Sequence, residues 1–117
     1  DRSGQSPVTG SEAEDAALAH LVAHGCRLET RNYRSRFGEI DLIVREGATL
    51  VFVEVRKRSR HDFGGAAASI TASKQAKLLT TARQYLAQLG REVPCRFDAV
   101  LIDGAGHIEW LRNAFGE

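Results

Sequence analysis

The stretch GEIDLIVREGATLVFVEVRKR, Gly38 to Arg58, constrains the fold more than any other part of the chain. Two runs rich in Ile, Leu, Val and Phe flank Gly47-Ala48, a two-residue loop with glycine first, which is the type II′ hairpin signature. The strands are expected at 39–45 and 50–57. Side chains alternate across a strand. Glu39, Asp41 and Ile43 therefore share one face of the first strand, and Leu50, Phe52, Glu54, Arg56 and Arg58 share one face of the second. The loop sets Asp41 against Glu54 and Glu39 against Arg56 on the same side of the sheet. Opposed Cβ atoms lie about 4.5–5.5 Å apart, and like charges there repel. Burial deepens the conflict or keeps one carboxyl protonated. A divalent cation between Asp41 and Glu54 removes it, and hard oxygen ligands completed by water and phosphate suit Mg²⁺ or Mn²⁺. A charge ladder in which Arg56 neutralises Glu39 and Glu54 removes it as well, so the hairpin alone leaves both readings open.

The flanks supply the rest of the fold. DRSGQSPVTG, residues 1–10, is rich in Gly, Ser and Pro without periodicity and is expected to be a flexible arm. One domain is expected over 11–117. A first helix spans Ser11–His24, with Ser11 and Glu14 in capping-box positions and Gly25 as its stop. A strand is expected at 26–33, a mobile loop at 59–68, a second helix from Ile70 to Leu89 ending at Gly90, and an apolar strand at 96–103. A last short strand or irregular tail follows. This is an α/β arrangement, a mixed sheet flanked by helices in αβββαβ order. The long second helix permits a parallel crossover between the hairpin and RFDAVLID.

At about 100° per residue, Ala17, Leu18 and Leu21 form the apolar stripe of the first helix, and Glu14 falls within it. Glu14 either turns back to cap Ser11 or points at the sheet; negative charge suits that end of a helix in both cases. On the second helix Leu78, Ala82, Leu86 and Leu89 mark the buried stripe. Gln75 falls near its middle and Lys74 on its flank. Lys74 is either solvated or laid along apolar surface with its ammonium at the sheet edge.

Net charge is +1, with 43% apolar and 26% charged residues, ordinary values for a globular chain. Arg31, Arg34 and Arg36 precede the hairpin and Arg56, Lys57, Arg58 and Arg60 end it, a local basic patch able to hold phosphates. A solvated charged surface reads the same way. No apolar run approaches the roughly 18–20 residues that span a bilayer. No secretory leader opens the residues given, so a cytoplasmic location is expected. Cys26 and Cys95 lack metal-type spacing and lie beside apolar runs, as reduced structural thiols do.

The runs GSEAEDAA, RNYRSRFGEIDLIV, LVFVEVRKR, SKQAKLL and RFDAVLID resemble the YraN-like family of small bacterial proteins, over Gly10 to about Ile108. That family is assigned to the restriction-endonuclease-like superfamily of PD-(D/E)XK nucleases and is similar to archaeal Holliday junction resolvases. The resemblance implies a three-layer fold with an αβββαβ core. It implies that Asp41 is the metal-binding aspartate, Glu54 the acidic residue of the second half-motif, and Glu14 the helix glutamate that helps coordinate metal. The superfamily lysine belongs two residues after Glu54, where this chain has Arg56. Arginine gives positive charge and bidentate phosphate contacts, but its pKa is too high for proton transfer. Lys74 is the candidate substitute.

The expected activity is Mg²⁺- or Mn²⁺-dependent phosphodiester hydrolysis on DNA, with branched or structured DNA among the candidate substrates and a homodimer compatible with it. Asp41, Glu54 and Glu14 are the candidate metal ligands, Arg56 and Lys74 the candidate cations at the phosphate, and Gln75 a ligand- or water-orienting group. Arg31, Arg34, Arg36, Lys57, Arg58 and Arg60 would hold the nucleic-acid backbone. The alternative is a non-catalytic nucleic-acid-binding module of the same fold. A third class is a protein-interaction domain with a salt-bridge ladder.

Overall fold

The computed structural model describes residues 10–58 and 70–115. In chain order these form α1 (Gly10–Ala23), β1 (Arg27–Ser35), β2 (Gly38–Glu46), β3 (Thr49–Arg58), α2 (Ala72–Leu89), β4 (Cys95–Asp103) and β5 (Ile108–Phe115). The expected arm, apart from Gly10, and the expected loop at 59–68 lie outside the described residues.

One five-stranded mixed sheet runs in sequence order, β1-β2-β3-β4-β5. The β1–β2, β2–β3 and β4–β5 pairs are antiparallel, and β3–β4 is parallel across the α2 crossover. The hairpin register is the one its loop dictates: Glu46 pairs with Thr49 and Leu42 with Val53, and Gly47 takes φ 63° at the first loop position. The tail is a full strand. β5 runs eight residues along β4, its register interrupted opposite Asp98.

Alternation on β3 divides the core. Val51 and Val53 join Leu42, Val44, Val100 and Ile102 under Ala13, Ala17 and Leu21 of α1. Leu50 and Phe52 join Ile43, Ala99, Leu78 and Ala82 on the α2 side. The helices therefore cover opposite faces. Alternation fails once on β2. Ile40 packs on the α2 side with Ile43, while Leu42 and Val44 pack on the α1 side, so Asp41 sits at a break in the pleat. Across from this break Asn32 takes φ 50°, a left-handed conformation that reorients a strand.

Local chemistry fixes the helix ends. The first helix begins before Ser11, so Ser11 lies inside it and does not act as N-cap. It ends on Gly25 at φ 101°, and the Cys26 N–H reaches back to the Leu21 carbonyl at 3.0 Å. Helix α2 starts two residues later than Ile70. Thr71 is its N-cap and accepts from the Lys74 N–H at 3.1 Å, and Gly90 closes it with φ 78°. Gly38 lets β2 approach α2 closely: a Cβ there would stand 3.3 Å from Thr81 Oγ1. Cys26 is buried as expected, whereas Cys95 is exposed because it begins β4 at the rim; neither forms a disulfide.

Asp98, fully buried, ties β4 to β5. Its carboxylate accepts from the Trp110 Nε1–H and the Asn113 N–H at 2.8 Å each, and from the Arg96 guanidinium at 2.9 Å. Arg96 in turn meets Glu46 at 2.6 Å. The register break frees the Asn113 N–H, and Asp98 satisfies it. Asp98→Ala orphans buried donors and should cost about 3 kcal/mol in urea unfolding, while Asp98→Asn, which keeps an acceptor, should cost clearly less. Equal losses would mean that the carboxylate's acceptors are not what stabilises this joint.

Candidate functional site

Glu54 follows Leu50 and Phe52 on the α2 face of β3. It is a carboxylate only 4% exposed in a row of core positions. Lys74, in the first turn of α2, lays its stem along that face and brings Nζ to 3.0 Å from Glu54 Oε2. Arg56, two residues along β3, reaches the same oxygen at 3.5 Å. Asp41 stands beside them, one residue past the last β2–β3 ladder pair, Leu42–Val53. Beyond that pair the strands no longer bond backbone to backbone in register, and Asp41 Oδ2 accepts the Val55 N–H at 2.8 Å. The direct opposition of Asp41 and Glu54 expected from the loop is thus replaced by adjacency at a strand opening. Glu39 is paired with Arg34 of β1 at 3.4 Å rather than with Arg56.

Between this strand opening and the start of α2 lies a cleft of about 310 Å³. Gly38, Glu39, Asp41 and Glu54 line it from the sheet, and Thr71, Ser73, Lys74, Lys77 and Leu78 from the helix. Burial raises the Asp41 carboxyl to about 7, the charge of Glu54 adds to the rise and that of Glu14 adds further, and the Val55 N–H pulls the other way. An acid pushed to neutrality by burial and like charge is one that a divalent cation would deprotonate. Two carboxylates completed by water and substrate phosphate match the sparse protein ligation of Mg²⁺. The donor set fits that ion as a two-carboxylate site. Among the described residues no group of three His, Cys, Asp or Glu converges at metal-holding distance.

The remaining candidates divide. Glu14 does reach toward the sheet, but its Oε1 is held by the Asn32 amide at 3.1 Å and by Arg31 at 3.6 Å. It acts on Asp41 through its charge. Gln75 is not in the cleft lining; its Nε2 donates to the Ile70 carbonyl at 2.9 Å, which secures the entry to α2. Arg31 is drawn to α1 by Asp15 at 2.8 Å. Arg34 and Arg36 are exposed at the β1–β2 turn, with Arg36 over the Phe37 ring, and Lys57 is exposed on β3. The Arg58 side chain and all of Arg60 lie outside the described residues. Sequence reasoning missed Ser73 and Lys77. Lys77 had a readable signal, since its i, i+3 spacing from Lys74 puts both on one helix face.

No helix among the described residues is long and apolar enough to cross a membrane. The family model described as "Uncharacterised protein family UPF0102" matches residues 13–102, which include the whole cleft. A UPF0102 protein of Nitrosomonas europaea is 61% identical over 110 residues, covering 92% of this chain and 93% of that one. One of Nitrosospira multiformis is 57% identical over 110 residues, covering 92% of each. One of Cupriavidus taiwanensis is 52% identical over 118 residues, covering 97% of this chain and 89% of its own.

The raised Asp41 sets a pH dependence. Its folded pKa lies above its unfolded one, so its contribution to stability is full below about pH 4 and is lost as pH rises through about 7. Asp41→Asn removes the charge and keeps an oxygen for the Val55 N–H. In chelator the variant should gain on wild type as pH rises from about 4 to about 8, by at least about 1 kcal/mol in urea unfolding, with no further gain above about pH 8. A variant less stable than wild type at pH 8 would instead make Asp41 a member of a neutralising charge ladder.

Proposed function

The chain belongs to the UPF0102 family, and for this member of it we propose a restriction-endonuclease-like, Mg²⁺- or Mn²⁺-dependent nuclease that hydrolyses DNA phosphodiesters in the bacterial cytoplasm. The observation that carries the reading is the buried Asp41–Glu54 pair, opened to a cleft at a strand divergence and faced by Lys74. Support comes from the αβββαβ order with a parallel β3–β4 crossover, and from the resemblance of the hairpin to the PD-(D/E)XK half-motifs.

When bound, the metal supplies Lewis-acid charge and an acidified water. Asp41, in its ionised form, and Glu54 would hold the ion, and the Lys74 ammonium beside Glu54 would offset negative charge on the phosphate. Arg56 contributes a phosphate contact but no proton transfer. Glu14 orders the Arg31–Asn32 segment and adds negative potential behind Asp41. Gln75 holds the start of α2, and with it Lys74, in place. Arg34, Arg36 and Lys57, with Arg58 and Arg60, hold the DNA backbone without reading sequence. Branched or structured DNA is a candidate substrate, and a homodimer would present two such clefts.

A second reading is favoured by one observation: Lys74 and Arg56 lie against Glu54 and neutralise it. A chain that kept this ion pair would bind nucleic acid and not cut it.

The deciding assay is Mn²⁺-supported cleavage of single-stranded, duplex, flap and four-way-junction DNA. Wild type should cut at least one of them, and Asp41→Ala and Glu54→Ala should not. Lys74→Ala should cut at least tenfold more slowly, about 1.4 kcal/mol of barrier, with Mn²⁺ binding retained. Salt-dependent DNA binding with no cleavage of any substrate would make the binding module the correct reading.

A further inference from the structure

The last turn of α1 and the residue just past it carry two imidazoles that the cleft does not use. His20 and His24 are one helical turn apart, with ring centroids at 4.3 Å and planes 33° from parallel. Both meet the Trp110 ring of β5 edge to face, at 6.3 and 6.1 Å. His24 Nδ1 lies 2.8 Å from the His20 carbonyl oxygen. A carbonyl only accepts, so Nδ1 carries the proton and the lone pair is left on Nε2 of the exposed ring. A ring fixed in this way by a backbone carbonyl is the usual state of a metal-ligating histidine. Partial burial and the neighbouring His24 both push the His20 pKa down.

We propose that His20 and His24 form a two-imidazole binding site for a borderline divalent transition-metal ion, of the class of Cu²⁺, Ni²⁺ and Zn²⁺. Histidines at i and i+4 share one helix face and can direct their lone pairs at a common ion. Water or an external ligand fills the remaining positions. The Arg112 guanidinium lies 3.9 Å from the Trp110 centroid, and Glu46 pairs with it at 2.7 Å and offsets its charge. Imidazole selects different ions from a carboxylate pair, so this site is chemically separate from Asp41 and Glu54. It does not depend on the nuclease reading.

Trp110 is the chain's one tryptophan and touches both rings, so its fluorescence reports the site. The test is a titration with Cu²⁺, Ni²⁺ and Mg²⁺ in a Cys95→Ser background, which removes the exposed thiol as a competing ligand. Cu²⁺ and Ni²⁺ should quench saturably, Cu²⁺ at the lower concentration, and Mg²⁺ should not quench. His24→Ala should raise the half-saturating concentration at least tenfold, and His107→Ala and Asp41→Ala should not change it. Ni²⁺ should raise the melting temperature of the parent and not of His24→Ala, which separates lost ligation from lost folding. Unsaturable quenching, equal curves for His24→Ala and His107→Ala, or loss of the response in Asp41→Ala would each overturn the proposal.

Discussion

The structure depends on β3 being buried on both faces and hydrogen-bonded on both edges. Its valines serve the core beneath α1, and Leu50 and Phe52 serve the core beneath α2. Like β4, it has an antiparallel neighbour on one side and a parallel neighbour on the other. A charged side chain on such a strand is enclosed unless a neighbour makes room. Glu54 is accommodated because β2 leaves the ladder beside it and α2 begins above it. The cleft is thus the gap left where three elements part company around one strand.

Much of this was legible in the sequence. The two-residue loop fixed the register because a one-residue slip would have turned every apolar side chain of the hairpin to the wrong face. Gly25 and Gly90 marked helix ends because both need positive φ. Lys74 was placed on the flank of α2 by periodicity alone, and its ammonium does lie at Glu54. Other details were not legible, for reasons that are local. Strict alternation treats a strand as regular, and nothing in a period of two announces that Asn32 turns left-handed or that the pleat breaks at Asp41. The capping box at Ser11 and Glu14 was a valid pattern, but Arg31 and Asn32 of β1 take the same carboxylate. Gln75 was set in the buried stripe correctly enough, yet an amide hydrogen bond to the nearest unpaired carbonyl took precedence over any role in the cleft. Asp98 falls in a strand expected only to be apolar; the register break in β5 explains why it is there.

The two ends of the sheet handle buried charge differently. At the Asp98 end the Asp98 and Glu46 carboxylates meet guanidinium, indole and backbone N–H donors, and no buried side-chain polar atom among the described residues lacks a partner. At the Asp41 end the balance is met by protonation and by a lysine on a flexible stem. Charges fixed by planar, bidentate partners hold a structure together, whereas a proton and an ammonium can be exchanged for something else.

The parallel pairing of β3 with β4 has an entropic consequence. Leu50 meets Cys95 only after the whole of α2 has been traversed, so most of the chain's loop-closure entropy is concentrated in this one strand pair. The β1–β2–β3 meander needs only short closures and is comparatively local. Glu54 belongs to the meander and Lys74 to the crossover. The ion pair between them therefore joins the part of the chain that is ordered at small entropic cost to the part ordered at large cost, and the cleft exists only when both are in place.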